Sequence, residues 1–328
     1  MTRPALAIVV PTRDRPALLE GCLAALRPEL RADDVLLVVD SASEDHRLVA
    51  QIARAADARL VRCDRRGAAR ARNAGWRSTD RELVAFVDDD MRVRPGWADA
   101  LVAALTPEAS FVAGCTVASE DAAGELVSVT RSSPQGRMEG RPGQFAPSNN
   151  LLVRRSCLQA VGGFDERLGP GTWLEAGEDL ELIDRVVTAG GHGRFAEDAL
   201  AVHEQWREGS ARRRLQYAYG KGMGARFALM LRRDPRRAGS QANELLRLGG
   251  LVTLLRRALR RPAPVTAAPV EGGVVQETGA SGIAGPLLWR LGALVGLVGG
   301  LVVLRPSAVQ VPVDDTQVAG LPPAANDA

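Results

Sequence analysis

Asp88, Asp89 and Asp90 follow one another at the end of the apolar run Leu83 to Val87. Adjacent like charges repel unless a cation, hydrogen-bond donors or solvent screen them. A hard divalent ion such as Mn2+ or Mg2+ takes oxygen ligands and commonly bridges one or two carboxylates to a substrate phosphate. The plainer alternative is a solvated acidic turn ahead of a helix. A second acid pair, Glu178-Asp179, opens a helical pattern. There the acids either complement the helix dipole or, near apolar Trp173 and Leu174, provide a general base. His203 follows an apolar stretch and is one of three histidines; alone it reads as a surface residue, since imidazole is a minority ligand of such cations.

The elements that must position these groups are legible from periodicity. Apolar runs at 5–10, 35–39, 58–61 and 83–87 alternate with helical patterns from about Ala17, Ser43, Gly67 and Pro95, and a last run lies near 111–117. The alternation predicts an α/β fold: βαβ units in a mostly parallel sheet with helices on both faces. Right-handed crossovers bring every C-terminal strand end to one edge. Pro11-Thr12, Asp40-Ser41 and Asp88 to Asp90 therefore converge, at the edge where such sheets bind ligands. From 120 to 147 the pattern dissolves into Gly, Ser, Pro and charge, predicting a long loop. A short strand at 148–153, a helix from Arg155 to Gly162-Gly163, a helix over 178–189 and a strand over 193–202 delivering His203 complete the expected domain.

The 328 residues carry a net charge of only +3, so nucleic acid is not indicated. The charge is uneven: residues 205–261 hold 15 Lys or Arg against three acids. The basic amphipathic pattern from Leu245 to Leu259 reads as lying on an anionic membrane surface or as a partner-binding face. Residues 262–282 read as a linker and 305–328 as a disordered tail. Residues 283–304, apolar apart from Arg290, either span a thinned bilayer or lie in its interface. The expected organisation is thus a catalytic domain over 1–205, a basic helical extension over 206–261, the linker, the membrane-associated segment and the tail. Four widely spaced cysteines form no Cys-x-x-Cys pair and read as reduced packing thiols. The first apolar run is too short for a secretory segment, so the catalytic part is expected in the cytoplasm, associated with the inner face of the cell membrane through the C-terminal region.

Read in order, Pro11-Thr12-Arg13-Asp14-Arg15-Pro16, Asp40-Ser41, Ala71-Arg72-Asn73-Ala74-Gly75, Asp88-Asp89-Asp90, Gly162-Gly163-Phe164-Asp165-Glu166, Glu178-Asp179 and His203 resemble family 2 glycosyltransferases over about residues 5–205. The resemblance implies a GT-A fold, a UDP- or dTDP-sugar donor, a Mn2+ or Mg2+ ion, and sugar transfer to an acceptor hydroxyl, usually with inversion. It implies that Pro11 and Thr12 border the nucleobase and that Asp40 accepts a hydrogen bond from the base ring, a role that suits a carboxylate facing an imide N–H. Arg72 lies near base and donor, Asp88 goes to the ribose, and Asp90 and His203 go to the metal. Asp179 is the implied base, with Glu178 as second choice or acceptor contact; Asp89 receives no ligand, and Arg185 is left to the acid cluster or the diphosphate. Processive synthases carry Gln-x-x-Arg-Trp, whereas Gln205-Trp206-Arg207 has another arrangement, so a single sugar is transferred. The expected acceptor is a sugar, lipid-linked or other membrane-proximal hydroxyl of a cell-surface glycan or glycolipid. A nucleotidyltransferase is the alternative enzyme, but Pro11 to Pro16 lacks the glycines of its phosphate loop. A degenerate, non-catalytic membrane scaffold is disfavoured because the metal, base and nucleobase positions are all filled.

Overall fold

The computed structural model describes residues 3–119, 127–130, 146–204, 210–239, 274–277 and 284–304. Strands β1 (Leu6–Thr12), β2 (Val35–Ser41), β3 (Arg59–Cys63) and β4 (Leu83–Val87) pair in parallel in the order β3-β2-β1-β4. β1 and β4 are buried throughout, as continuous apolar runs require when helices cover both faces. The period of two divides β1: Leu6, Ile8 and Val10 enter one core with Leu19, Leu23 and Leu26 of α1 (Pro16–Leu26). Ala7 and Val9 enter the other with Ala69, Ala71 and Trp76 of α3 (Ala68–Arg77). Gly75 lets α3 lie close on the sheet, because a Cβ there would collide with Val9.

The second half completes a mixed, 10-stranded sheet. β8 (Asn150–Arg154) runs antiparallel to β4 and to β6 (Phe111–Ala118). β9 (Gly193–His203) is parallel to β6, and β5 (Met91–Val93) pairs antiparallel with β9. Beyond β6 lie β7 (Val127–Thr130) and β10 (Val274–Glu277). β7 falls inside the stretch expected as a loop, and β10 inside the expected linker; strand pairing with each other, across a large sequence separation, is what local composition could not reveal. Residues 120–126, 131–145, 262–273 and 278–282, Gln205 to Arg207, the basic pattern from Leu245 to Leu259 and the tail lie outside the described residues.

Helices α2 (His46–Ala55), α4 (Trp97–Ala104), α5 (Arg155–Val161) and α6 (Glu178–Thr188) flank the sheet. α7 (Ser210–Arg233) and α8 (Ala284–Val303) pack along one another. α7 is tied to α6 by the buried Arg226, which donates to both oxygens of Asp184 at 2.6 and 2.8 Å. Among the described residues no helix is long and apolar enough to cross a membrane. All four cysteines are buried and free.

Candidate active site

The parallel register sets Thr12 beside Asp40 and Asp40 beside Arg62 at the carboxyl edge. Asp40 is fully buried. Its Oδ1 accepts from Ser43 N at 2.9 Å and its Oδ2 from Arg62 at 2.6 Å. Thr12 donates to Asp89 Oδ2 at 2.7 Å, and Arg15 pairs with Asp89 at 2.5 Å and Asp90 at 3.2 Å. Asp89, left without a ligand by the sequence, is therefore the strut joining β1, the start of α1 and the acidic turn. Burial pushes its carboxyl up to about 7 against the pull of Arg15.

Pairing of β5 with β9 carries His203 to the acidic turn, because Met91 registers with His203. Glu204 N donates to Asp90 O at 2.8 Å, and His203 Nε2 stands 3.5 Å from Asp90 Oδ1. The register depends on an irregularity in β9 opposite Gly114 and Cys115. Asn150 fills it, donating to Cys115 O at 3.0 Å and Ala199 O at 2.9 Å while accepting from Trp97 Nε1 at 2.8 Å.

Arg72, nearly wholly buried in α3, bridges two walls: it bonds Asp88 Oδ1 at 2.6 Å and Glu178 Oε1 at 3.0 Å. Its neighbour Asn73 has a different task. It donates to Phe164 O at 2.9 Å and Glu166 Oε1 at 3.0 Å and accepts from Phe164 N at 2.9 Å, which clamps the Gly163-Phe164 turn to α3. Burial pushes the Glu178 carboxyl up to about 7, helped by neighbouring Asp179 and opposed by Arg72. Burial likewise raises Asp179, opposed by Arg72. Asp179 is fixed by Leu180 N at 2.8 Å and Ser148 N at 3.4 Å.

These groups surround a cavity of 320 Å³, within the usual range for ligand pockets. Arg72, Asp88, Asp90, Glu178, Asp179 and His203 line it together. Pro11, Thr12 and Asp40 stand outside that lining at the sheet edge, and Arg185 belongs elsewhere. Arg185 pairs with Glu181 at 2.7 Å and reaches the carbonyls of Val161 and Gly163, so it meets neither the acid cluster nor the cavity.

Sequence reasoning missed another part of the cavity's lining, Glu175, Leu215, Tyr219, Met223 and Trp289. α7 approaches the loop before α6 through Gly222, where a Cβ would collide with Ala176. The alternating Gly220, Gly222 and Gly224 and the fourfold spacing of Leu215, Tyr219 and Met223 were the available signals.

Among the described residues no group of three or more acid, His or Cys side chains is arranged to hold a metal. Asp90 and His203 supply one carboxylate and one imidazole, which fits a hard divalent ion that completes its shell with ligand phosphate and water.

Residues 7–162 match glycosyl transferase family 2. With the mixed sheet and edge site above, the chain carries a family 2 glycosyltransferase domain of GT-A type. It is similar to the pre-mycofactocin glycosyltransferase of Mycobacterium tuberculosis, 30% identical over 148 residues, a match spanning 42% of this chain and 30% of that protein's length. It shares the fold of the mannosyltransferase PcManGT from Pyrobaculum calidifontis in complex with GDP-Man and Mn2+, with a TM-score of 0.58 and 17% identity over 92% of this chain and 88% of that one. S. aureus TarS 1-349 in complex with UDP-GlcNAc gives a TM-score of 0.59 and 15% identity over 90% and 81%.

Proposed function

We propose that this chain is a glycosyltransferase that moves a single sugar from a nucleotide-sugar, of UDP or dTDP type, to an acceptor hydroxyl with inversion. The observation carrying the reading is the sorting of carboxylates around one cavity. Glu178 is held by Arg72 and Asp88 shares that arginine, whereas Asp179 is held only by backbone N–H groups among the bonds above. A carboxylate raised by burial is a better proton acceptor than an ordinary one. Asp179 thus takes the acceptor proton as the hydroxyl attacks the anomeric carbon from the face opposite the leaving diphosphate. Arg72 keeps Asp88 aimed toward the donor, and Asp90 with His203 would hold Mn2+ or Mg2+. A bound cation would neutralise charge on the leaving diphosphate.

Two supporting facts come from similar folds: PcManGT was captured with GDP-Man and Mn2+, and TarS with UDP-GlcNAc. Asp40 argues for a uracil or thymine base, since its carboxylate can accept from an imide once Arg62 yields. The test is release of nucleoside diphosphate from a panel of UDP-, dTDP- and GDP-sugars with Mn2+, with the product's anomeric configuration read by NMR. UDP- or dTDP-sugar turnover with inversion is expected; turnover of none of them would falsify the proposal.

The same reading seats the protein on the inner face of the cell membrane, acting on a membrane-proximal glycan or glycolipid. Leu291, Leu294, Val298, Leu301 and Val302 leave an exposed aliphatic stripe along α8, next to exposed Arg290. That composition suits a helix lying in the interface. Leu294→Asp should weaken binding to phosphatidylserine vesicles about tenfold in a flotation assay; unchanged binding removes α8 from the contact.

A further inference from the structure

We propose that the wall built by α7 and α8 is an acceptor subsite for glycosides with an apolar aglycone, whose sugar hydroxyls meet Glu175 and whose aglycone meets Trp289, Tyr219, Met223 and Leu215. The inference rests on the transferase reading and names the second substrate of the same cavity.

Glu175 lines the cavity with a left-handed backbone, φ 61°, a conformation disfavoured for any residue with a Cβ. Such strain persists where surrounding structure imposes it, commonly at ligand sites. The Glu175 carboxylate is held by two α7 cations: Lys221 Nζ donates to Oε2 at 2.6 Å and Arg214 to Oε1 at 3.3 Å. Lys221 is itself buried, its ammonium 5.3 Å from the Trp173 ring centre and 5.4 Å from that of Tyr217. Each carboxylate oxygen retains a lone pair for a ligand O–H.

Glu175 and Asp179 are tuned in opposite directions. Burial pushes the Glu175 carboxyl up, but the Lys221 hydrogen bond and charge, with Arg214, bring it below the ordinary range. Glu175 is thus a fixed hydrogen-bond acceptor, whereas Asp179 is raised and suited to take a proton. The remaining wall is apolar. Leu215, Tyr219 and Met223 recur every four residues and share one helix face, and Trp289 of α8 joins them in the lining. A bare sugar would leave this surface wet, whereas a hydrocarbon aglycone removes it from water.

The test compares methyl and octyl glycosides of glucose, galactose and mannose, below micellar concentration, by calorimetry with UDP and Mn2+ present. At least one octyl glycoside should bind about tenfold or more tightly than its methyl partner. Trp289→Ala should reduce that ratio to near one, and Trp289→Phe should restore most of it. Met223→Gln, close in volume, should lower the ratio severalfold, which keeps the test decisive if Trp289→Ala fails to fold. Glu175→Gln should weaken methyl and octyl members alike, leaving the ratio intact. Equal binding of every methyl and octyl pair, or an octyl preference unaltered in both Trp289→Ala and Met223→Gln, overturns the subsite. If nucleotide-sugar turnover is seen in the panel above but no octyl preference appears, the subsite fails while the transferase reading stands.

Discussion

The acidic edge of the sheet and the α7–α8 wall line the same cavity but are held by different physics. β1 and β4 are fixed by aliphatic burial on both faces. The wall has only a small apolar cluster, Leu168, Leu174, Ala225, Leu229 and Leu304, and is fixed largely by backbone approach and by ion pairs. A Cβ on Gly224 would collide with Ala293, and one on Gly296 with Lys221. Arg226 pairs with Asp184 and Arg233 with Glu181 across to α6. Burial is non-directional and tolerates side chains of similar volume, whereas a helix contact through glycines accepts a methyl group only by displacing the facing backbone. A buried ion pair tolerates the loss of neither partner. The two regions should therefore separate under mutation.

The largest effect belongs to chemistry at the start of α6, away from the sheet edge. Asp179→Asn should slow transfer about 10²- to 10⁴-fold in single-turnover assays, with nucleotide affinity at the opposite edge kept within about threefold. Loss of nucleotide affinity instead would mean that the two sides are not independent. Next comes Asp184→Ala, which leaves Arg226 buried without its carboxylate and should cost about 3–5 kcal/mol. Hydrogen exchange should show that loss in α7 and α8 while β1 and β4 keep their protection; a uniform loss would merge the two regions into one cooperative unit. A matched pair of packing changes is smaller. Gly296→Ala should destabilise by about 1–3 kcal/mol, and Leu37→Met, inside the sheet core, by less than about 1.5 kcal/mol in urea unfolding.

The smallest effect is on pH dependence. Glu178 has its folded pKa raised to about 7. The folded state therefore holds that proton more tightly than the unfolded chain. Its contribution to stability is present below the ordinary carboxylate range and is lost as pH rises through about 7. Glu178→Gln should flatten the fall in stability between about pH 5 and 7.5 by about 1–2 kcal/mol. An unchanged slope would show that Arg72 keeps Glu178 ionised throughout.

The parallel half of the sheet was legible because each strand is a local run of one polarity and each acid sits where a run ends. Asp90, Asp179 and His203 converge as the sequence implied, and the pairing of Met91 with His203 supplies the reason. The role of Asp89 was not legible, because its partners Thr12 and Arg15 lie more than 70 positions away. Asn73 and Arg72 are adjacent in sequence yet serve a turn clamp and the cavity respectively, a difference set by which side of α3 each faces. Glu175 carried no motif at all; its significance comes from Lys221 and Arg214 of α7.

By itself the sequence determined the alternation of strands and helices, the edge at which the acids emerge and the order of the family's motifs, all consequences of periodicity and local chain chemistry. Only the tertiary structure decided which carboxylate is neutralised by which arginine, where β9 carries its irregularity, and which side chains line the cavity with the acids. Those depend on groups far apart in the chain meeting out of water, where a single ion pair or a missing Cβ fixes the geometry.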